Sequence, residues 1–296
     1  MKLVDSGRPG ETGMAPLARL FARRLLRAHV PEAGGFETTQ STLPGLSVVM
    51  AAHDEEHVIE GALRQLAGLA DEIVVVDADS HDRTADIAAR LADRVIPTSN
   101  KPMLEINKNI AMDAARHEWV LVLDPDERIS PRLREQIRAV VERDRPEIAG
   151  YWMPRRNYIL GRWVRAMGMY PGSQLRLVRH GHGRFDERQH HLPMAVRGDV
   201  GYLSGDLVHL SDSTVAEILD KRRRYAEFAA QQMFASGERF EARRLVWDVG
   251  SSFTRQYVLL GGWLEGSVGL RYAGLSAYGA WLRHWRLRQL ERDALH

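Results

Sequence analysis

Cysteine is absent from the 296-residue chain. That excludes disulfides, thiolate nucleophiles and Cys-ligated zinc, and leaves oxygen and imidazole as donors for any metal. A reducing compartment fits the same absence. Lysine is scarce: Lys2, Lys101, Lys108 and Lys221 are four of the 41 basic residues. An excess of one charge is also missing, the formal net charge being only +2, so no dedicated nucleic-acid-binding surface is expected. No window of about eighteen residues is free of charge, and no apolar core precedes a small-residue cleavage site near the start. Neither a spanning helix nor a signal peptide is therefore expected, and the expected compartment is the cytoplasm.

What is present is an ordinary globular composition, 44% hydrophobic and 27% charged, which suits one large α/β unit or two average domains. Residues 1–15, rich in Gly, Pro and polar groups, read as a flexible tail. Leu17, Leu20, Phe21 and Leu25 then recur at helical spacing, with arginines largely on the remaining face. Such a basic amphipathic helix either packs on the body of the protein or lies on an anionic membrane surface. From Leu46 the pattern becomes strand, helix, strand, helix. Apolar runs at 46–52, 72–77 and 119–123 alternate with helical periodicity, and a short strand begins at Val95. This predicts a mostly parallel sheet covered by helices on both faces. Each of the three clearest strands stops at acidic residues: His53-Asp54-Glu55-Glu56, Asp77-Ala78-Asp79, and Asp124-Pro125-Asp126-Glu127. Ligands of open α/β sheets bind outside the carboxyl ends of the strands, so these acids are expected to converge in one crevice.

After Gly150 the alternation stops, and Trp-, Tyr-, Arg- and His-rich segments run to about Leu210. Ser213–Ala235 reads as a long helix capped by Ser211 or Ser213, with Glu217 in its first turn. Residues 245–292 read as two or more helices with aromatic faces, and their glycines suggest close helix packing. The expected division is residues 1–44, 45–210 and 211–296. Asp124-Pro125-Asp126 is the most informative local feature, because two carboxylates where a buried strand stops can present oxygen to Mg²⁺ or Mn²⁺.

The strand-end segments Leu46–Glu56, Asp71–Thr84, Lys108-Asn109 and Trp119–Pro131 together resemble the family-2 glycosyltransferases of GT-A fold, in the branch similar to lipopolysaccharide-core glucosyltransferases. The resemblance continues through Pro154–Trp163, Gln174–Arg179 and Gly205–Leu210. It implies inverting transfer of a sugar from a nucleoside diphosphate donor, with UDP-sugar the expected donor, to a hydroxyl on a glycan, a lipid-linked or a small-molecule acceptor, and it implies a divalent cation, Mn²⁺ or Mg²⁺. If the acceptor is lipid-linked, the inner face of the membrane becomes the expected place of work. Carried over residue by residue, Asp54, Glu56 and Asp77, with Asp79, resemble the pocket for base and ribose. Asp126 resembles the metal-binding Asp, with Asp124 beside it, and His209 a histidine that completes the metal shell. Lys108 resembles a basic residue near the nucleotide. Arg222, Arg223 and Arg224 could supply a guanidinium to the leaving diphosphate, with Arg224 the candidate.

The departure is at the general base. Where the branch has His-Glu, this chain aligns His191 and Leu192, so the expected carboxylate is missing. Asp186, Glu187, His190 and His191 compete to remove the acceptor proton, the imidazoles being favoured by a pKa near working pH. Two other readings remain open: a nucleotide-sugar-binding or assembly protein that has lost its base, and a nucleotidyltransferase, which would be expected to carry a Gly-rich phosphate loop after the first strand.

Overall fold

The computed structural model describes residues 43–101, 103–143, 145–187, 193–211 and 214–294. The tail and basic helix expected before residue 43 lie outside them. The described chain divides into two compact units. One comprises the chain up to Pro154 together with Ser173–Leu207, the other Arg155–Gly172 with Val208 onward.

The first unit is built on strand β1 (Leu43–Ala52), whose last seven residues are all buried. A parallel strand covered on both faces needs a nearly continuous apolar run, and Leu46–Ala52 supplies one. Strands β2 (Glu72–Asp77), β3 (Arg94–Pro97) and β4 (His117–Val122) continue the pattern. With β6 (Ile148–Met153), β9 (Gln174–Arg179) and β12 (Asp199–Tyr202) they form a seven-stranded sheet of order β12-β6-β9-β4-β1-β2-β3. β1 pairs parallel with β2 and β4, β2 with β3, and β12 with β6, whereas β9 runs antiparallel to both β4 and β6.

Period-two alternation divides the strand side chains between two cores. Val48, Met50 and Leu121 face helices α1 (Ile59–Arg64), α2 (Thr84–Leu91) and α4 (Pro131–Arg143), through Ile59, Leu63, Ile87, Leu133 and Ile137. Val49, Val74, Val76, Val120 and Val122 face α3 (Leu104–Asp113), through Ala111 and Met112, and the short ribbon β10 (Gly183–Arg184) with β11 (Ala195–Val196). Each such fully buried aliphatic side chain contributes about 1.5–3 kcal/mol relative to exposure.

At the amino edge of the sheet, the buried Glu72 accepts from Ser47 Oγ (2.6 Å) and from Arg116 Nε (2.7 Å). Burial works to raise its pKa, but these hydrogen bonds and the Arg116 charge outweigh burial and hold the carboxyl below its usual value. The carboxyl edge is organised differently. The chain steps outward from β1 to β2 and β3, then returns to place β4 on the other side of β1. This reversal is the topological switch point at which α/β sheets bind ligands, and it lies between the strand ends that lead to Asp54 and Asp124.

In the second unit, β7 (Arg155–Ile159) and β8 (Arg162–Val164) form a hairpin whose two-residue loop, Leu160-Gly161, has positive φ at both positions, 51° and 74°. That is the turn whose twist suits a tight hairpin. β13 (Leu207–His209) lies beside β7. Ile159 and Val164 pack with Ile218 of α5 (Val215–Ala235) and Val268 of α7 (Gly266–Asp293). These contacts draw Arg155–Gly172 out of the segment that reads from sequence as one domain over 45–210, because long-range pairing leaves no local periodicity. The expected caps at Ser211 or Ser213 give way to Thr214, whose Oγ1 accepts from the Glu217 backbone N–H (3.2 Å). Between α5 and α7 run α6 (Ala242–Thr254), a π turn (Arg255–Leu259) and a 3₁₀ turn (Gly262–Glu265).

Candidate active site

The loops that follow β1 and β2 clasp each other through side chains that the sequence marks as candidates. The Asp54 backbone N–H donates to Ser80 Oγ (3.1 Å), while Asp54 Oδ1 accepts from the His81 N–H (2.7 Å). The Glu55 N–H donates to Thr84 Oγ1 (2.7 Å) and the Glu56 N–H to Asp82 Oδ2 (3.0 Å). Glu56 Oε2 in turn accepts from Arg83 N and Nε, both at 3.2 Å. Asp54 and the exposed Asp79 both sit in the left-handed region, with φ of 54° and 62°. Asp tolerates that region because its short side chain bonds locally. One oxygen each of Asp54 and Glu56 thus fixes the shape of the strand-end loops.

Asp77 differs. It is buried at the end of β2, its Oδ2 accepting weakly from the Ser80 N–H at 3.4 Å, while its Oδ1 is out of contact with solvent and has no hydrogen-bond partner among the described residues. A buried carboxylate oxygen without a donor is costly and needs an explanation, of which a ligand donor is one.

On the other side of the switch point, Asp124 pairs with two cations. Lys108 Nζ lies 2.6 Å from its Oδ1 and Arg176 Nη2 2.5 Å from its Oδ2. Burial opposes the Asp124 charge, but the Arg176 and Lys108 charges outweigh it and hold the carboxyl far below the usual carboxylate range. Arg176 also reaches Glu127 Oε1 (3.2 Å), and Glu127 Oε2 accepts from the Asp124 N–H (3.0 Å). Burial likewise opposes the guanidinium charge, and the two carboxylates push the Arg176 pKa above that of an ordinary arginine. Arg128 closes the turn by donating to the carbonyls of Pro125 (2.8 Å), Glu127 (2.9 Å) and Val58 (2.9 Å). Burial lowers the Arg128 pKa, and the charge of Asp126, half-buried in the same turn, opposes this only in part.

Lys108 is therefore a buried ion-pair partner rather than a solvated helix charge, and its ammonium also stands 5.6 Å from the Phe185 ring centroid. Its neighbour Asn109 holds the same segment. Asn109 Oδ1 accepts from the Phe185 N–H (3.0 Å), and Nδ2 donates to the Phe185 carbonyl (3.0 Å) and to Glu187 Oε1 (2.9 Å). Arg184 donates to Glu187 Oε1 (3.1 Å) and to Asp113. Asp186 is half-buried. His190 and His191, with Leu192, lie outside the described residues.

In the second unit, His209 Nδ1 lies 2.9 Å from Asn157 Oδ1, and Asn157 Nδ2 donates to the Met169 carbonyl (2.7 Å). With the amide so oriented, Nδ1 is the donor in that contact. Arg224 is exposed on α5. Arg222 instead turns toward α7, where it reaches Ser276 Oγ (3.3 Å) and lies over the Tyr272 ring. The sequence alone assigns no role to Arg176 or Asn109. The signal for Arg176 is its place in Gln174-Leu-Arg-Leu-Val-Arg, where a guanidinium inside an apolar strand requires a buried acid.

These acids gather at the carboxyl edge of an α/β sheet beside its switch point, where sheets of this kind bind ligands. The model of glycosyl transferase family 2 matches residues 47–210, more than half of the chain, and the protein belongs to that family. It is a glycosyltransferase. Over 254 residues it is 29% identical to the lipopolysaccharide core biosynthesis glycosyltransferase LpsC of Rhizobium meliloti (strain 1021), covering 81% of this chain and 93% of the relative. An uncharacterized glycosyltransferase of Rickettsia typhi is 25% identical over 83% of this chain and 87% of its own length. Among solved structures, S. aureus TarS 1–349 aligns over 84% of this chain and 92% of its own, at 15% identity and a TM-score of 0.43.

Proposed function

We propose that the protein is a metal-dependent inverting glycosyltransferase that moves a sugar from a UDP-sugar to a hydroxyl of a cell-envelope glycan. The buried Asp77 Oδ1, without a hydrogen-bond partner among the described residues, carries this reading. It is an acceptor waiting at the switch-point edge, suited to a ribose hydroxyl or a uracil N–H. Asp54 and Glu56 build the loops around it. Lys108 and Arg176 keep Asp124 ionised and fixed, and Asp126 offers hard carboxylate oxygen to Mn²⁺ or Mg²⁺, whose preference is for such donors. When bound, the cation supplies neutralisation of the diphosphate leaving group.

The acceptor hydroxyl must lose its proton as its oxygen attacks the anomeric carbon. Asp186, Glu187, His190 and His191 are the candidates for the base, with Glu187 Oε1 accepting from Asn109 and Arg184. LpsC, by its name, acts in lipopolysaccharide core biosynthesis, and this supports an envelope glycan on a lipid carrier as the acceptor class, met at the inner face of the membrane. The test is a crystal soaked with UDP and Mn²⁺. Uridine beside Asp77 with the cation on Asp126 is expected, and nucleotide at the amino edge of the sheet, beside Glu72, would overturn the proposal. Donor hydrolysis or transfer by the intact chain, lost in His191→Ala or His190→Ala, separates an enzyme from a binding protein.

A further inference from the structure

The second unit carries an open groove that its own helices leave unfilled. Helices α5 and α6 both pack along α7. The floor between them is made of small residues, Ser276, Gly279 and Ala280. Helix α6 has no buried residue, and neither does the π turn that continues it. The large apolar side chains there face outward: Trp247 is 73% exposed and Leu259 74%, with Val246, Val258, Trp263 and Leu264 each more than half exposed. Isolated exposed apolar residues are ordinary, but Val246, Trp247 and Leu259 line this one groove together, and that marks an interaction surface.

Charge identifies what the surface meets. Five arginines line the groove; of these, Arg244 pairs with Glu238, Arg283 pairs with Asp248 (2.9 Å), and Arg222 lies over the Tyr272 ring. Asp248 also meets His284 (2.8 Å) inside the unit, so it makes no pair with Arg243 or Arg255. Arg243 and Arg255, on the same elements as the exposed rings, have no acidic partner among the described residues. A second copy of the chain seated face to face would bring the same arginines against these. An anionic bilayer answers both features, with rings entering the headgroup zone and guanidiniums meeting lipid phosphates. No helix among the described residues is long and apolar enough to cross a membrane, so the contact is peripheral.

We infer that the face formed by α6, the π turn and the 3₁₀ turn docks the enzyme on an anionic phospholipid bilayer. The inference stands on this surface and is independent of the assignment of donor or base. Flotation of the full chain with vesicles of phosphatidylcholine alone, or of equal parts phosphatidylcholine and phosphatidylglycerol, tests it. Binding to the anionic vesicles alone is expected, weakening with added salt. Trp247→Ser/Leu259→Ser and Arg243→Gln/Arg255→Gln should each lower binding by roughly tenfold or more. UDP binding should be unchanged in both variants, which separates a failed docking surface from a failed nucleotide site. Undiminished flotation in both double variants would overturn the inference, as would no binding of the parent chain at low salt. Sedimentation showing a dimer that Trp247→Ser/Leu259→Ser dissociates would assign the face to a second copy instead.

Discussion

Lys108 Nζ sits 2.6 Å from Asp124 Oδ1, and both groups are largely withdrawn from solvent. Helix α3 thereby delivers a cation to the carboxyl end of β4 while β9, running the other way, delivers Arg176 to the second oxygen of the same carboxylate. With Glu127 included, two cations balance two anions. Removing one partner of a buried pair leaves the other uncompensated, at a cost of about 3–5 kcal/mol. Lys108→Met and Arg176→Met are each expected to lower stability by that order in urea unfolding, with the larger loss for Arg176, which contacts both acids. A loss below about 1 kcal/mol for Arg176→Met would mean that water already screens the network.

Acid should dismantle the same network. Asp124 has a folded pKa far below its unfolded value, so the unfolded chain binds more protons than the native one below the ordinary carboxylate range. Stability is therefore fully present above about pH 4–5 and falls as pH drops through the unfolded Asp value near 3.9. Glu72, also depressed, adds to the slope in the same direction. Urea midpoints measured from pH 7 to pH 3 should decline steeply below pH 5, and the decline should be shallower in Asp124→Asn. An identical slope in that variant would remove Asp124 from the account.

Much of this edge is legible in the sequence because parallel strands announce themselves. Leu46–Ala52, Glu72–Asp77 and Trp119–Leu123 are apolar runs with acids at their ends, and the structure places those acids at one edge. Period-two patterns cannot reveal an antiparallel insertion, so β9 and the role of Arg176 stay hidden even though Gln174–Arg179 stands in plain view. The β7–β8 hairpin joins the second unit by pairing across some fifty residues, from Arg155 to His209, which no local window contains. Glycine spacing in the C-terminal helices gives half an answer. Gly262 and Gly269 are close-approach positions, whereas a Cβ at Gly274 would meet open space.

That close approach can be tested directly. A Cβ on Gly269 would overlap the Gly262 carbonyl oxygen, which is backbone and cannot swing aside. Gly269→Ala must push the 3₁₀ turn off α7, an overpacking cost of about 1–3 kcal/mol that outweighs the gain in helix propensity. Gly274→Ala, with nothing within reach, should raise the melting temperature slightly. Thermal unfolding of the two variants should therefore move in opposite directions.

Asp126→Ala removes the hard oxygen donor assigned to the cation. The side chain is half-buried in a turn held by Arg128, so the fold should persist with an unchanged circular dichroism spectrum. Transfer should fall on the order of a hundredfold or more, because an unneutralised diphosphate leaves poorly. Full activity of the parent enzyme in EDTA would contradict the metal assignment.

Asp77→Asn separates a structural role from a binding one. The substitution keeps the shape of the side chain while removing a buried charge whose Oδ1 has no donor among the described residues. If the carboxylate were there for the fold, the variant would lose stability. If it waits for a nucleoside, the protein without ligand should gain up to about 1 kcal/mol, since an unsatisfied buried anion has been replaced by a neutral amide. Nucleotide binding should move the other way, because a charge-assisted hydrogen bond of about 1.5–3 kcal/mol is lost, a weakening of roughly tenfold to a hundredfold. Calorimetric titration with UDP and thermal unfolding on the same two proteins give both numbers. A variant that is both less stable and unimpaired in UDP binding would make Asp77 a framework residue and move the nucleoside pocket elsewhere on the edge.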